Sequence, residues 1–456
     1  MSYATVVIFV LVGSPVPYSI ASAALPASFS AAVVKRQAIP NVLPAFVNRS
    51  TQTAPVEADT VESALARIRT HIQVLLSKPQ PELYARHLRS VLALSELDVS
   101  KLDFAGPRRN DDARELLGYL KVIEAGLNDD GDKPETYLVN GRRALTLARL
   151  SRTDETIQFC TVSLPPHWNP NKAYPLYVQL HGRGPSIPLA YVNYTFLPRG
   201  KEEGRTDEVI VVVPWLRGNS QWREENGSEP DIWEAIDDVK SFAKLDADRW
   251  YISGHSWGGD DTWAVVQRTP DVWAAAGIMA GNPISAPVDL GLVPNASHVP
   301  FYLWLGDQDE ERRPAFETFR AALTAVDNPP KLVVASGVGH MYRPEDDASL
   351  EAWLLQHIRR RPSHFSFVAD TPQHRGIWGI SIPREYPWAY PQAEPRVKFE
   401  CWIEGSTVRI QTWDAKKLDV DLGPNGLNIP GTITLIVNGR TNFTGSAPEK
   451  PLSLKF

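Results

Sequence analysis

Six short apolar runs, each ending in glycine or a polar residue, set the rhythm of this sequence between residues 174 and 340. They read YPLYVQLHGRG, DEVIVVVPWLRG, RWYISGHSWGG, VWAAAGIMAG, PFYLWLGDQD and KLVVASGVGH. A strand buried on both faces gives such a continuous run, whereas a half-solvated strand alternates with period two. Stretches of helical spacing lie between the runs, at 231–244 and 261–268 for example. Strands alternating with helices predict an α/β fold, a mostly parallel sheet covered on both faces. The glycines and polar residues then collect at the carboxyl ends of the strands, where open α/β sheets place their sites.

The flanks follow other periods. Upstream, DTVESALARIRTHIQVLL sets Val61, Leu65, Ile68, Ile72 and Leu75 on one helical face, and Asp59 and Glu62 form a variant of the capping box. A second periodic run covers 82–95, and a third places Leu116, Leu120, Ile123 and Leu127 together. His71 and His87 in this region read as helix-surface or packing residues. Downstream of Pro362, RVKFECWIEGSTVRIQTW alternates about a Glu404-Gly405 turn, and Asn438-Gly439 is a hairpin signal. The division expected is a leader and propeptide at 1–36 and an arm with a small helical region at 37–150. The α/β core follows at 151–362, and a linker with a small all-β domain at 363–456. The aromatic and proline-rich tract from Ser366 to Pro395 is expected to dock that domain on the core.

A chain of 456 residues is too long for one ordinary core. With 43% hydrophobic and 22% charged residues and a net charge of −6, it reads as a soluble globular protein without a polyanionic partner. No basic stripe with interleaved aromatics argues for nucleic acid. The apolar stretch Thr5–Gly13 is too short to span a bilayer but suits a signal peptide, with Ala21-Ser22-Ala23 as the cleavage pattern. It lacks a basic flank, which leaves a buried N-terminal strand as the other reading. Lys35-Arg36 is a dibasic trimming site, and Asn48, Asn193, Asn226, Asn295 and Asn442 stand in N-x-S/T sequons, so a secreted glycoprotein is expected. Cys160 and Cys401 would, if paired, close a loop of 241 residues, worth ~5 kcal/mol in the chain-entropy model. Two separate buried thiols are the alternative, and neither cysteine has metal-ligand spacing.

Gly254-His255-Ser256-Trp257-Gly258 is G-x-S-x-G between a strand and a helix. There the glycines permit the sharp turn that lifts a serine hydroxyl above the sheet edge, which makes Ser256 the candidate nucleophile. A serine needs a base, and His340 ends the last run, downstream of the serine as the order Ser–acid–His requires. The acid is expected after the preceding run, at Asp309, which fits a G-x-x-D turn from Gly306, or at Asp307. His255 reads as packing, and His298, His357, His364 and His374 lack a strand-end position. The oxyanion of a tetrahedral intermediate would be held by the backbone N–H groups of Trp257 and of Arg183 in HGRG. Trp215 and Trp222, in strand-end loops, are candidate pocket walls, with core packing as the alternative.

These motifs resemble the esterase and oligopeptidase-like branch of the α/β-hydrolases over residues 155–360, chiefly through LHGRG, DADRWYISGHSWGGDDTW, PDVWAAAGIMAG and GVGH. That branch includes secreted acetyl-xylan and feruloyl esterases, polyhydroxyalkanoate depolymerases and prolyl-oligopeptidase-type domains. The resemblance implies a secreted serine hydrolase acting on a small or polymer-borne ester, with neither metal nor organic cofactor. A serine peptidase with the same machinery and an inactive hydrolase-fold binding protein are the alternatives; the oligomeric state stays open. Trp257 stands where methionine is usual, and Asp260-Asp261 where small or apolar residues are common.

Overall fold

Strand order is the clearest outcome of the α/β rhythm. The computed structural model describes residues 58–96, 109–130, 144–183, 188–196, 208–217, 228–282, 290–385 and 397–456. Eight strands form one sheet: β1 (Ala144–Leu150), β2 (Ile157–Ser163), β3 (Ala173–Leu180), β4 (Ile210–Pro214), β5 (Lys244–His255), β6 (Ala275–Met279), β7 (Phe301–Gly306) and β8 (Lys331–Ala335). Their order is β1-β2-β4-β3-β5-β6-β7-β8. β1–β2 and β2–β4 are antiparallel, and every pair from β4 to β8 is parallel. β6 and β7 are buried along their whole length, as continuous apolar runs require.

Eight helices are described: α1 (Ala58–Leu76), α2 (Glu82–Ser95), α3 (Arg109–Asp130), α4 (Pro188–Phe196), α5 (Ser228–Lys240), α6 (Trp257–Arg268), α7 (Arg313–Ala325) and α8 (Pro344–Leu354). The periodic residues Leu65, Ile68, Ile72, Leu116, Leu120, Ile123 and Leu127 are buried in one cluster with strands β1 to β5. The helical region is therefore continuous with the core of the sheet. Strand β1, upstream of residue 151, pairs with β2 along its full length, so the sheet begins at Ala144. Its other edge is capped by α2: the Thr146 N–H donates to His87 Nδ1 at 2.8 Å and the Ala148 N–H to Ser90 Oγ at 2.9 Å. An unpaired edge invites aggregation, and here side chains of a helix close it. As an acceptor His87 must be neutral there, and burial pushes its pKa down to about 3. Helix α8 ends at Leu354, and Arg359 beyond it donates to the Asp271 carbonyl and to Asp248.

From His364 onward the described elements are all β. A five-stranded sheet, β16-β15-β13-β12-β9, faces a four-stranded one, β10-β11-β14-β17, across its own apolar cluster. Its strands are β9 (His364–Ala369), β10 (Gly376–Ile377), β11 (Ile380–Ser381), β12 (Val397–Glu404), β13 (Thr407–Trp413), β14 (Lys417–Val420), β15 (Ile433–Val437), β16 (Arg440–Gly445) and β17 (Leu452–Lys455). Asn438 and Gly439, with φ 51° and 76°, make the tight hairpin joining β15 to β16. Cys401 lies in this cluster and Cys160 in the other, and both are buried free thiols. The disulfide considered from sequence is thus corrected: the two thiols belong to different cores.

The two cores meet through buried polar contacts. Arg268 pairs with Asp370 at 2.7 Å, and His374 Nε2–H donates to Glu229 Oε2 at 3.0 Å. Asn295 Nδ2 donates to the carbonyls of Gln267 and Val368, both at 3.0 Å, while its Oδ1 accepts the Val368 N–H at 2.7 Å. The sequon at Asn295 is therefore not a glycan site: the residue is fully buried and its amide holds three segments together. Asn193, on α4, is buried as well and is corrected with it. Asn442 is exposed on β16, and Asn48, Asn226 and the leader at 1–36 lie outside the described residues. No helix among the described residues is long and apolar enough to cross a membrane.

Candidate active site

The turn between β5 and α6 forces the serine out. Ser256 has φ 56° and ψ −120°, a region that costs a non-glycine residue about 1–3 kcal/mol. The turn is so tight that a Cβ on Gly254 would lie 2.1 Å from the Gly258 carbonyl oxygen, and one on Gly258 2.2 Å from that of Leu180. No larger residue fits either place. The Ser256 N–H donates to the Met279 carbonyl at 2.9 Å, which fixes the elbow to the end of β6. Asp260, in the first turn of α6, is buried and accepts the Asn282 N–H, so it ties the following loop to the helix.

The other two residues reach the serine from neighbouring strand ends. Ser256 Oγ–H donates to His340 Nε2 at 3.0 Å, and His340 Nδ1–H donates to Asp309 Oδ2 at 2.7 Å. Asp309 is buried and His340 is about a third exposed, so the acid is shielded while the base faces solvent. The two aspartates left open by the sequence separate here. Asp307 Oδ1 accepts the N–H groups of Gly337 at 2.8 Å and Val338 at 3.3 Å. It braces the loop that carries His340, and those backbone hydrogen bonds hold its carboxyl below the usual aspartate range.

The third loop, after β3, lies beside the elbow. Arg183 sets its guanidinium 5.4 Å from the centre of the Trp257 ring, so the two residues expected to supply oxyanion donors are neighbours. His181 stands between two carbonyl oxygens, with Nδ1 2.7 Å from that of Gly182 and Nε2 2.8 Å from that of Trp215, and the Tyr191 hydroxyl lies 3.3 Å from Nδ1. Trp215 itself stacks on Phe159, ring centres 5.0 Å apart, and packs against the main core. These contacts support the packing reading of its ring. Trp222 lies outside the described residues.

Two features escaped the sequence. His255 hydrogen-bonds the backbone of His340, and His374, which has no strand-end position, is half of a buried hydrogen-bonded pair with Glu229. A lone histidine in a loop carries no signal of either. Among the described residues no group of three or more His, Cys, Asp or Glu could hold a metal ion.

The strand order and the strained elbow are those of the α/β-hydrolase fold. No family model matches the chain. Its sequence is 25% identical over 172 residues to a probable feruloyl esterase C of Aspergillus flavus, covering 37% of this chain and 59% of that protein. The chain thus spans about three-fifths of the length of that curated relative. Similar solved structures include a thermostable esterase, 20% identical with TM-score 0.39, over 48% of this chain and 63% of that one. Another is a ferulic acid esterase of the anaerobic fungus Anaeromyces mucronatus, 17% identical with TM-score 0.40, over 49% and 95% of the two chains.

Proposed function

We propose that the chain is a serine hydrolase that cleaves carboxylic esters through an acyl-enzyme. The observation that carries this reading is the continuous relay Ser256 Oγ–His340–Asp309, at 3.0 and 2.7 Å, on a strained elbow. Ser256 Oγ attacks the ester carbonyl as its proton passes to His340 Nε2, and Asp309 orients and stabilises the imidazolium. The N–H groups of Trp257 and Arg183 hold the oxyanion, and the start of α6 adds its favourable dipole. The proton then goes from His340 to the leaving alcohol, and water repeats the sequence to release the acid.

The relative's name makes a feruloyl ester the first natural substrate to try beside a short p-nitrophenyl ester. We read the protein as secreted, on its leader pattern and the exposed Asn442 sequon. Residues 363–456 are read as an accessory domain docked on the catalytic core. The test is labelling by a fluorophosphonate probe together with ester turnover. Both should be present in the wild type and lost in Ser256→Ala; turnover that survives the substitution would remove the assignment.

A further inference from the structure

His255 ends β5, one residue before the elbow serine, yet its ring points to a different loop. Its Nε2 lies 2.7 Å from the backbone carbonyl oxygen of His340. A carbonyl only accepts, so Nε2 carries the hydrogen. Burial, and secondarily the neighbouring His340, push the pKa of His255 down to about 4, so the ring is neutral in ordinary buffers. The two imidazoles sit 4.8 Å apart, and Tyr342 closes edge-on at 5.1 Å. On the other side Gly182 packs so closely that a Cβ there would lie 2.9 Å from the His255 carbonyl oxygen and 3.6 Å from its Nδ1.

The ring therefore stands between the loop that follows β3 and the loop that carries the base. The base loop is tied on its acid side by Asp307, through the N–H groups of Gly337 and Val338. On the side of the elbow it is His255 that holds the carbonyl of His340 itself. Resting on the ester-hydrolase reading above, we infer that His255 is a positioning residue. It couples the height of the base to that of the nucleophile through one hydrogen bond from a neutral ring. Neutrality matters because His340 becomes an imidazolium during turnover, and a cation 4.8 Å away would oppose it.

The experiment compares His255→Gln, which keeps an uncharged N–H donor, with His255→Phe, which keeps the ring and loses the donor. Each is assayed with p-nitrophenyl acetate for kcat and KM and with a fluorophosphonate for labelling rate, beside the wild type and Ser256→Ala. The Phe variant should lose roughly 10- to 100-fold in kcat, as a displaced catalytic group does, with KM nearly unchanged. The labelling rate should fall in parallel, and the Gln variant should recover most of both. If the Phe variant does not fold, His255→Leu replaces it in the same comparison. Equal kcat in wild type and the apolar variant, or a Gln variant no better than it, overturns the inference. A wild type that neither turns over ester nor takes the probe overturns the hydrolase reading and this role together, and that failure is seen before any His255 variant is assayed.

Discussion

Helix α6 has two ends with opposite construction. Its twelve residues place them about 18 Å apart. At the N-terminus, Ser256 is held in a strained conformation, and its partner His340 is open to solvent. At the C-terminus, buried Arg268 pairs with Asp370 and the Gln267 carbonyl accepts from Asn295, so the helix end is locked into the β region. One end stores strain where a bond can be broken; the other removes freedom where a domain must stay put. The β region therefore docks at the far end of the helix from the serine. Substitutions at the two ends should move different observables.

The largest effect belongs to the N-terminal end. Ser256→Ala should lower turnover of a p-nitrophenyl ester by at least ~10⁴-fold. Its melting temperature should stay near the wild type, because no packing is removed. A large drop in melting temperature would mean that the elbow also carries stability, and the contrast between the ends would blur.

Asp309→Asn comes next, with a loss of about 10⁴-fold in kcat, since an amide facing Nδ1 favours the wrong imidazole tautomer. Asp307→Asn touches the loop and not the base itself and should cost no more than roughly tenfold, the scale of a slightly displaced base. The reverse ranking would hand the acid's role to Asp307.

The C-terminal end should answer in stability alone. Arg268→Ala leaves the largely covered Asp370 carboxylate without its ion-pair partner, which costs up to about 3 kcal/mol. Urea denaturation should show this, while kcat of the folded fraction should remain within about twofold of wild type, sites this far apart being close to additive. A matching fall in kcat would show that docking and chemistry are coupled through the helix.

How much of this the sequence held depends on the range of each signal. The strands, the elbow and the order serine, acid, histidine were legible because each is written in a few consecutive residues: an apolar run, a glycine pair, a strand end; the acid stayed open between Asp309 and Asp307 because both stand in the same turn. What lay hidden depends on distant partners. Asn295 satisfies a sequon pattern, yet its amide joins Gln267 to Val368, and only the fold shows that it is buried. His87 caps the edge of β1 from a helix 59 residues upstream, which no local period announces. Strand β1 and the helices before it were set apart from the sheet because a change of period looks like a boundary. Burial, which joins them in one core, has no period.

The smallest effect is one of pH, and it separates the docking contact from the buried histidines near the sheet. His374 is buried against Glu229; burial alone would lower its pKa, but the charge and hydrogen bond of the carboxylate outweigh that and raise it. A raised folded value means that the pair's stabilisation is complete below the unfolded histidine value, about 6.5, and is lost as pH rises through the folded one. His87 and His255, pushed down to about 3 and about 4, behave in the opposite sense. They are stabilising above about 6.5 in their neutral form, and that contribution is lost as pH falls toward those lowered values. The urea midpoint should therefore sag on the alkaline side because of His374 and on the acid side because of the other two. His374→Gln keeps an uncharged donor to Glu229 and should flatten the alkaline limb above about pH 6.5 while leaving the acid limb intact. An alkaline limb that survives the substitution would show that the Glu229–His374 pair does not titrate as a docking contact.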